Sequence, residues 1–253
     1  MLSVSIITVV YNNDKYIEHA LKSVLGQDYS NIEYIVIDGG SNDGTMEVIE
    51  KYREQISVIV SETDEGIYDA INKGISLSTG DCIAILHSDD EFFDSNVVSR
   101  MMSCMRDNES DICFSDMVIT DQSLRKILRY YRADYFSKWL FRIGWMPPHP
   151  TCFIKKSLFD EFGLYSTKYK IAGDFDFLVK IFYRKKNLKW SYLNIISVRM
   201  RHGGISNSGY AGKFLINKEI NKSLSDNGVW STPILQIARY PIRLLELLIY
   251  LRT

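Results

Sequence analysis

"VSIITVVYNN", residues Val4 to Asn13, is the stretch on which the reading of the fold turns. An apolar, largely β-branched run stops abruptly at Tyr11-Asn12-Asn13. A short run of that kind, closed by turn residues, fits a strand buried on both faces. The residues after it decide the rest. Lys15 to Gly26 carries Ile17, Ala20, Leu21, Val24 and Leu25 at helical spacing. Ile32 to Ile37 reads as a second strand, closed by Asp38-Gly39-Gly40-Ser41. Thr45 to Arg53 reads as a helix, Ile56 to Val60 as a strand, Asp69 to Leu77 as a helix and Cys82 to Leu86 as a strand. Strict strand–helix alternation predicts a parallel sheet with helices on both faces. Ligands of such sheets bind beyond the C-terminal strand ends. Here those ends carry Tyr11-Asn12, Asp38-Gly39, Ser61 to Asp64, and His87 to Asp90.

The second half is less regular. A helix is expected from Asn96 to Met105, and short strands at Ile112–Ser115 and Met117–Thr120. The segment 121–145 is mixed. Cys152–Ile154 reads as a strand, Ser157–Phe162 and Asp174–Arg184 as helices, and Trp190–Met200 as a strand region. A Gly/Ser-rich loop, Arg201–Gly212, precedes two terminal helices. No linker marks the change of character near Asn108. The expectation is one domain over 1–230, in halves 1–107 and 108–230, with a tail over 231–253. In that tail Arg239, Arg243 and Glu246 share one face of an otherwise apolar helix. Such a helix can lie on a membrane surface, pack on the domain or form a dimer interface.

Composition excludes several classes. The 253 residues hold 30 Lys plus Arg against 31 Asp plus Glu, a net charge of -1, so no global basic field invites nucleic acid. Cys82, Cys104, Cys113 and Cys152 lack C-x-x-C spacing and read as free thiols, not a zinc site or disulfide framework. The N-terminal stretch has no basic n-region or cleavage site and reads as a strand, not a signal peptide. The most apolar run, Pro233 to Leu251, is interrupted by Arg239, Pro241, Arg243 and Glu246, and does not suit a membrane span.

Three motifs carry chemistry. "VIDGGSNDGT", Val36 to Thr45, delivers Asp38 from a strand into a glycine turn. It fits a capped strand–turn–helix or a nucleotide site, but neither the G-x-G-x-x-G fingerprint nor a P-loop. "ETDEGIYDAINKGISLSTGD", Glu62 to Asp81, puts Asp64 in a strand-end loop and Asp69, Asn72 and Lys73 on the next helix. Lys73 and Asp69 also fit a plain i,i+4 pair. "LHSDDEF", Leu86 to Phe92, ends a buried strand on adjacent carboxylates. Asp89 and Asp90 either cap the helix after Phe93 or repel until a cation joins them, and hard divalent cations favour such oxygens.

Taken in order, "VSIITVVYNNDKYIEHALKSVLGQDYSNIEYIVIDGGSNDGT", "DEGIYDAINKGISLSTGD" and "LHSDDEF" resemble the donor half of family-2 inverting glycosyltransferases. Within that family they look like the group building bacterial O-antigen and capsule repeat units. The resemblance spans roughly 3–205. It implies the GT-A type of α/β fold, a mostly parallel sheet flanked by helices, with a helical tail here. It implies a nucleotide-sugar donor, usually a UDP-sugar, and a divalent cation, Mn²⁺ or Mg²⁺. It places Val10, Tyr11, Asn12, Asp38, Asp64, Asn72, Lys73, Ser88, Asp89 and Arg201 at the nucleotide-sugar, with Asp38 on the uracil. Metal contacts would come from Asp90, Asp89, His87 and His202.

The sequence departs from the pattern twice. His87 stands where the D-x-D element begins with Asp or Asn; it can ligate a metal, donate to ribose, or make no contact. In "IAGDFDFLVKIF", Ile171 to Phe182, Gly173 replaces the first acid of the family's E-D pair, leaving Asp174 as general base and Asp176 as the second choice. An N-cap is the plain alternative for Asp174. His149, in "MPPHPTCF", and Asp176 are assigned to the acceptor side. Arg201 and His202, in "RMRHGGIS", contact phosphate or metal or belong to a solvated loop.

The resemblance thus implies in-line displacement at the anomeric carbon of a nucleotide-sugar by the hydroxyl of a lipid-diphosphate-linked saccharide. The expectation is a cytoplasmic enzyme, peripheral on the inner face of the cell membrane and able to form a homodimer. The alternatives are a non-catalytic nucleotide-sugar-binding protein and a sugar-phosphate nucleotidyltransferase. The latter wants a Gly-rich basic loop where this chain has Tyr11-Asn12-Asn13.

Overall fold

The computed structural model describes residues 1–203 and 209–238. Four strands and three helices alternate first: β1 (Val4–Val10), α1 (Ile17–Leu25), β2 (Ile32–Asp38), α2 (Thr45–Glu50), β3 (Val58–Ser61), α3 (Ile67–Leu77) and β4 (Cys82–Ile85). Then come β5 (Glu91–Phe92), α4 (Val97–Asp107), β6 (Ile112–Thr120), β7 (Ile127–Tyr131), β8 (Phe153–Lys155), α5 (Lys156–Phe162) and α6 (Gly173–Arg184). β9 (Trp190–Arg201), α7 (Gly209–Asp226) and α8 (Pro233–Ile237) complete the described chain.

One sheet runs through both halves in the order β3-β2-β1-β4-β8-β6-β9-β5, with β7 added on β6. The predicted parallel arrangement holds for β3-β2-β1-β4. Beyond β4 the directions mix: β8 is antiparallel to β4 and β6, whereas β9 runs parallel to β6. The two short strands expected around Asp116 are one strand. Its ladder with β9 shifts register at Ser115/Asp116 and Asp116/Met117, which is the break the sequence pattern shows.

β1 is the centre of the core. All seven of its residues are buried, and alternation sends its side chains to opposite faces. Ile7 and Val9 join one apolar cluster with α3, α5 and α6. Val4, Ile6 and Val10 join another with α1 and α4. Truncating Ile7 to Ala would cost about 2–5 kcal/mol. α3 lies so close to β1 that a Cβ on Gly74 would fall 2.5 Å from Ile7 Cγ2, which explains the glycine of Asn72-Lys73-Gly74. α3 carries Tyr68, Asn72 and Lys73, which are described below.

The four cysteines are free, as their spacing suggests. Among the described residues no helix is long and apolar enough to cross a membrane. The terminal helices are present as α7 and α8, and α7 begins inside the stretch read as loop. The charged face expected at Arg239, Arg243 and Glu246, and Gly204 to Ser208, lie outside the described residues.

Candidate active site

The pairings of β1 with β2 and β4, and of β2 with β3, bring the polar strand ends side by side. At the end of β2, Asp38 has no solvent exposure. Its carboxylate accepts from Gly40 N (3.2 Å), Ser41 N (3.0 Å), Ser41 Oγ (2.5 Å) and Ser61 Oγ (2.6 Å). Four donors satisfy an anion that burial would otherwise penalise. They also bend the loop through Gly40, whose φ of 82° suits glycine. In this structure the Asp38 side chain, expected at the base, shapes the loop from inside. Asn12 has a similar part, with its Oδ1 accepting from Asn42 N at 2.9 Å and its N donating to Ser41 Oγ at 2.8 Å. Val10 turns its side chain into the core and presents none to a ligand.

Tyr11 differs, being 63% exposed. A Cβ on Gly39 would fall 3.5 Å from Tyr11 Cδ2 and 2.3 Å from Asp64 Oδ2, so ring and carboxylate meet over a residue that must be glycine. Asp64 Oδ1 accepts from Gly66 N at 2.8 Å, and Oδ2 accepts from no described residue. An exposed aromatic face beside a free carboxylate oxygen can stack a planar base and accept its N–H or a ribose O–H.

Asn72 and Lys73 are committed to the fold. Asn72 Nδ2 donates to Tyr165 O at 2.8 Å while its Oδ1 accepts from Tyr165 N at 3.0 Å. That pair pins the loop after α5 to α3 and uses one N–H and one lone pair of the amide. Lys73 Nζ lies 3.0 Å from Glu62 Oε1 and 3.4 Å from Asp69 Oδ2, and donates to Thr63 O at 3.2 Å. It steadies the loop that carries Asp64.

After β4 the chain turns at His87-Ser88-Asp89-Asp90, with Asp90 N donating to His87 O at 3.0 Å. Ser88 Oγ accepts from Asn13 Nδ2 at 2.9 Å and so joins this turn to the β1 loop. Asp90 is 1% exposed, and among the described residues it accepts one hydrogen bond, from Arg201 N at 3.2 Å. Burial, with Asp89 beside it, pushes Asp90 well above the usual carboxylate range. Burial holds His87 below its ordinary value, against the pull of Asp89.

Arg201 closes this corner from the end of β9. It is 3% exposed, its centre lies 4.2 Å from the Tyr16 ring centroid, and Nη1 donates to the Gln122 carbonyl. Nε and Nη2 are buried with no partner among the described residues. An aromatic-backed guanidinium with two free donors suits an anion. His202 is exposed, and its backbone is held by Thr120 and Gln122.

Does this corner fit a divalent cation? No group of three or more His, Cys, Asp or Glu side chains converges among the described residues. Yet Asp90 is a nearly dry carboxylate with one hydrogen bond and a like charge beside it. Such a carboxylate, with Asp89 next to it in the chain, fits Mg²⁺ or Mn²⁺ when a ligand's phosphates complete the shell.

The second half carries the carboxyl expected as general base. Asp174 stands in the first turn of α6 and is partly exposed. Its Oδ1 accepts from Phe175 N at 2.8 Å and Tyr68 Oη at 3.1 Å. Burial outweighs those bonds and raises its pKa to about 6. A carboxyl near 6 matches a general base working close to neutrality. Asp176 points elsewhere: at 4% exposure it accepts from Ser223 Oγ (2.8 Å) and Asn227 Nδ2 (3.0 Å) of the α7 region. It ties α6 to α7 through Oδ1.

His149 is buried, and burial drops its pKa to about 3, with His87 adding to the effect. It is therefore neutral, with Nε2 2.8 Å from Tyr165 Oη. Tyr165 in turn stacks on Tyr68, ring centroids 6.0 Å apart. His149 thus reaches Tyr68, a partner of Asp174, through Tyr165.

Motif reasoning does not find Tyr16, Tyr68, Tyr165 or Glu219. Tyr68, Ile71 and Ile75 share a helical face, so the tyrosine reads as core. Glu219 accepts from the N–H groups of Lys170, Ile171 and Ala172, each at 2.9 Å, and so holds the entry to α6. Nothing local in the sequence signals a contact across 47 residues.

The model of the family described as "Glycosyl transferase family 2" matches residues 5–166. A "PGL/p-HBAD biosynthesis glycosyltransferase" of Mycobacterium bovis is 26% identical over 225 residues, covering 87% of this chain and 83% of that protein. An uncharacterized glycosyltransferase of Mycobacterium tuberculosis is 32% identical over 182 residues, 70% of this chain and 68% of its own. Among solved structures, residues 1–349 of Staphylococcus aureus TarS with UDP-GlcNAc superpose with a TM-score of 0.68 at 20% identity. The match covers 88% of this chain and 66% of that one. The mannosyltransferase PcManGT of Pyrobaculum calidifontis, with GDP-Man and Mn²⁺, gives 0.65 at 17% identity over 89% and 64%. The chain spans about two thirds of the length of these two solved chains, and the shared fold is of GT-A type.

Proposed function

The chain belongs to glycosyl transferase family 2, and from that premise we propose that it is an inverting transferase moving a hexosyl or N-acetylhexosaminyl unit from a nucleotide-sugar to a lipid-diphosphate-linked saccharide. The observation that carries the reading is Asp174, a helix-start carboxyl raised to about 6 by burial, with one oxygen held by two donors.

The base stacks on Tyr11 and meets Asp64; the diphosphate meets Arg201. Asp89 and Asp90 would hold a divalent cation, which would supply charge neutralisation at the leaving group. The acceptor's O–H bond breaks as its proton passes to Asp174. The freed oxygen pair forms a bond to the anomeric carbon on the face opposite the diphosphate. The old carbon–oxygen bond breaks, and its pair leaves on the diphosphate. One displacement inverts the centre. The structure of TarS with UDP-GlcNAc favours a UDP-sugar donor. The pathway proposed is bacterial surface polysaccharide synthesis, on the inner face of the membrane.

The test is nucleoside-diphosphate release from UDP- and GDP-sugars, with Mn²⁺ or EDTA, over lipid-diphosphate saccharides. Metal-dependent turnover, with the product anomer opposite to the donor's by NMR, is expected. Metal-independent turnover or a retained anomer would overturn the mechanism. Absence of turnover with every donor would favour a binding protein instead.

A further inference from the structure

We propose that Tyr68 is a positioning residue for proton abstraction: its hydroxyl, set between the Ile171 carbonyl and Asp174, fixes the base carboxyl in the space that Gly173 leaves free. The inference rests on Asp174 as the base.

Three observations carry it. The first is space. A Cβ on Gly173 would fall 2.8 Å from Tyr68 Cε2, 2.8 Å from Cζ and 2.9 Å from Cε1. The ring cannot easily withdraw, since it is 7% exposed and stacked on Tyr165. A Cβ at position 173 would therefore force the Tyr68 ring to shift.

The second is bonding. Tyr68 Oη lies 2.5 Å from Ile171 O and 3.1 Å from Asp174 Oδ1. Phe175 N also donates to Oδ1, at 2.8 Å. Both bonds fall on one oxygen, so among the described residues Oδ2 is left to receive a proton. When Asp174 is anionic, the tyrosine proton is shared between it and the carbonyl. Once Asp174 is protonated, the hydroxyl keeps its bond to Ile171 O and needs no change of rotamer.

The third is anchorage. Ile171, which Tyr68 grips, is held from the other side by Glu219. Tyr68 belongs to α3, whose preceding loop carries Asp64, and it reaches a base 106 residues away in sequence. Through this contact the donor half sets where the base of the other half points.

The titratable groups around Asp174 are Tyr68 on α3, Cys152 ahead of β8, Tyr165 after α5 and Glu219 on α7. Burial keeps Cys152 and Tyr165 neutral, and Glu219 adds a like charge. Tyr68 is the side chain in this set that favours the anion. Removing its hydroxyl should raise the Asp174 pKa further. The base works deprotonated, so the acid limb of activity must move to higher pH.

Tyr68→Phe tests this, because it keeps the ring and deletes only the hydroxyl. The expected result is an acid limb of kcat shifted up by roughly one pH unit, with KM for the nucleotide-sugar changed less than about twofold. Gly173→Ala should reproduce the direction of that shift with the hydroxyl still present but displaced, and it replaces Tyr68→Phe if that variant does not fold. An unshifted limb in both, while Asp174→Asn loses turnover, would overturn the role of Tyr68 alone. A change confined to KM would also overturn it. Retained turnover in Asp174→Asn would instead overturn the base assignment.

Discussion

Asp38 and Asp90 end neighbouring parts of one sheet edge, both almost out of solvent, and the chain treats them oppositely. Four donors from the chain itself complete Asp38. A single backbone N–H reaches Asp90 from the described residues, and its pKa is pushed far up. Burial alone does not say what a carboxylate is for. What separates them is how much of the charge is already answered from within. Asp38 is satisfied from within the fold, whereas Asp90 is left open to a proton or a cation from outside. Asp174 lies between the two, with one oxygen answered and one open.

The largest test falls on that intermediate case. Asp174→Asn should lower turnover by about 10²–10⁴ while calorimetry finds donor binding intact. Equal loss of binding would make Asp174 a structural carboxylate like Asp38. Asp90→Asn comes next. It should weaken donor binding in Mn²⁺ by about 2–5 kcal/mol and leave binding in EDTA little changed. The same loss in both conditions would break the contrast with Asp38. Asp38→Asn should instead cost about 1–3 kcal/mol of stability, seen as a lower midpoint in urea, because its donors lose an anionic acceptor. Unchanged stability with lost nucleotide binding would restore the expectation that Asp38 touches the base. The smallest effect is the pH profile. Asp174 is raised to about 6 and acts as an anion, so kcat should be flat above that value and fall roughly tenfold per unit below it.

The alternation that begins at Val4 made the first four strands and their aligned polar ends legible, because periodicity and turn residues are local signals. The same logic marked the break at Asp116 without showing that the strand continues past it. β5 spans two residues and owes its existence to β9, so no local pattern announces it. The site was legible as a place and much less as a set of roles. Which carboxylates are free depends on distant partners, Ser61 for Asp38 and both Ser223 and Asn227 for Asp176. The amide of Asn72 is likewise taken by Tyr165. Those pairings arise only when the sheet has formed.

One contact sets a limit on recombining this chain with its relatives. Glu219, on α7, holds the three N–H groups that lead into α6. A chimera that exchanges the second half and stops its insert at β9 would separate the base from its support. The interchangeable unit therefore runs at least to Asn227, where the last anchor of Asp176 also sits. Crossover points placed inside that span should yield well-folded sheets that turn over poorly.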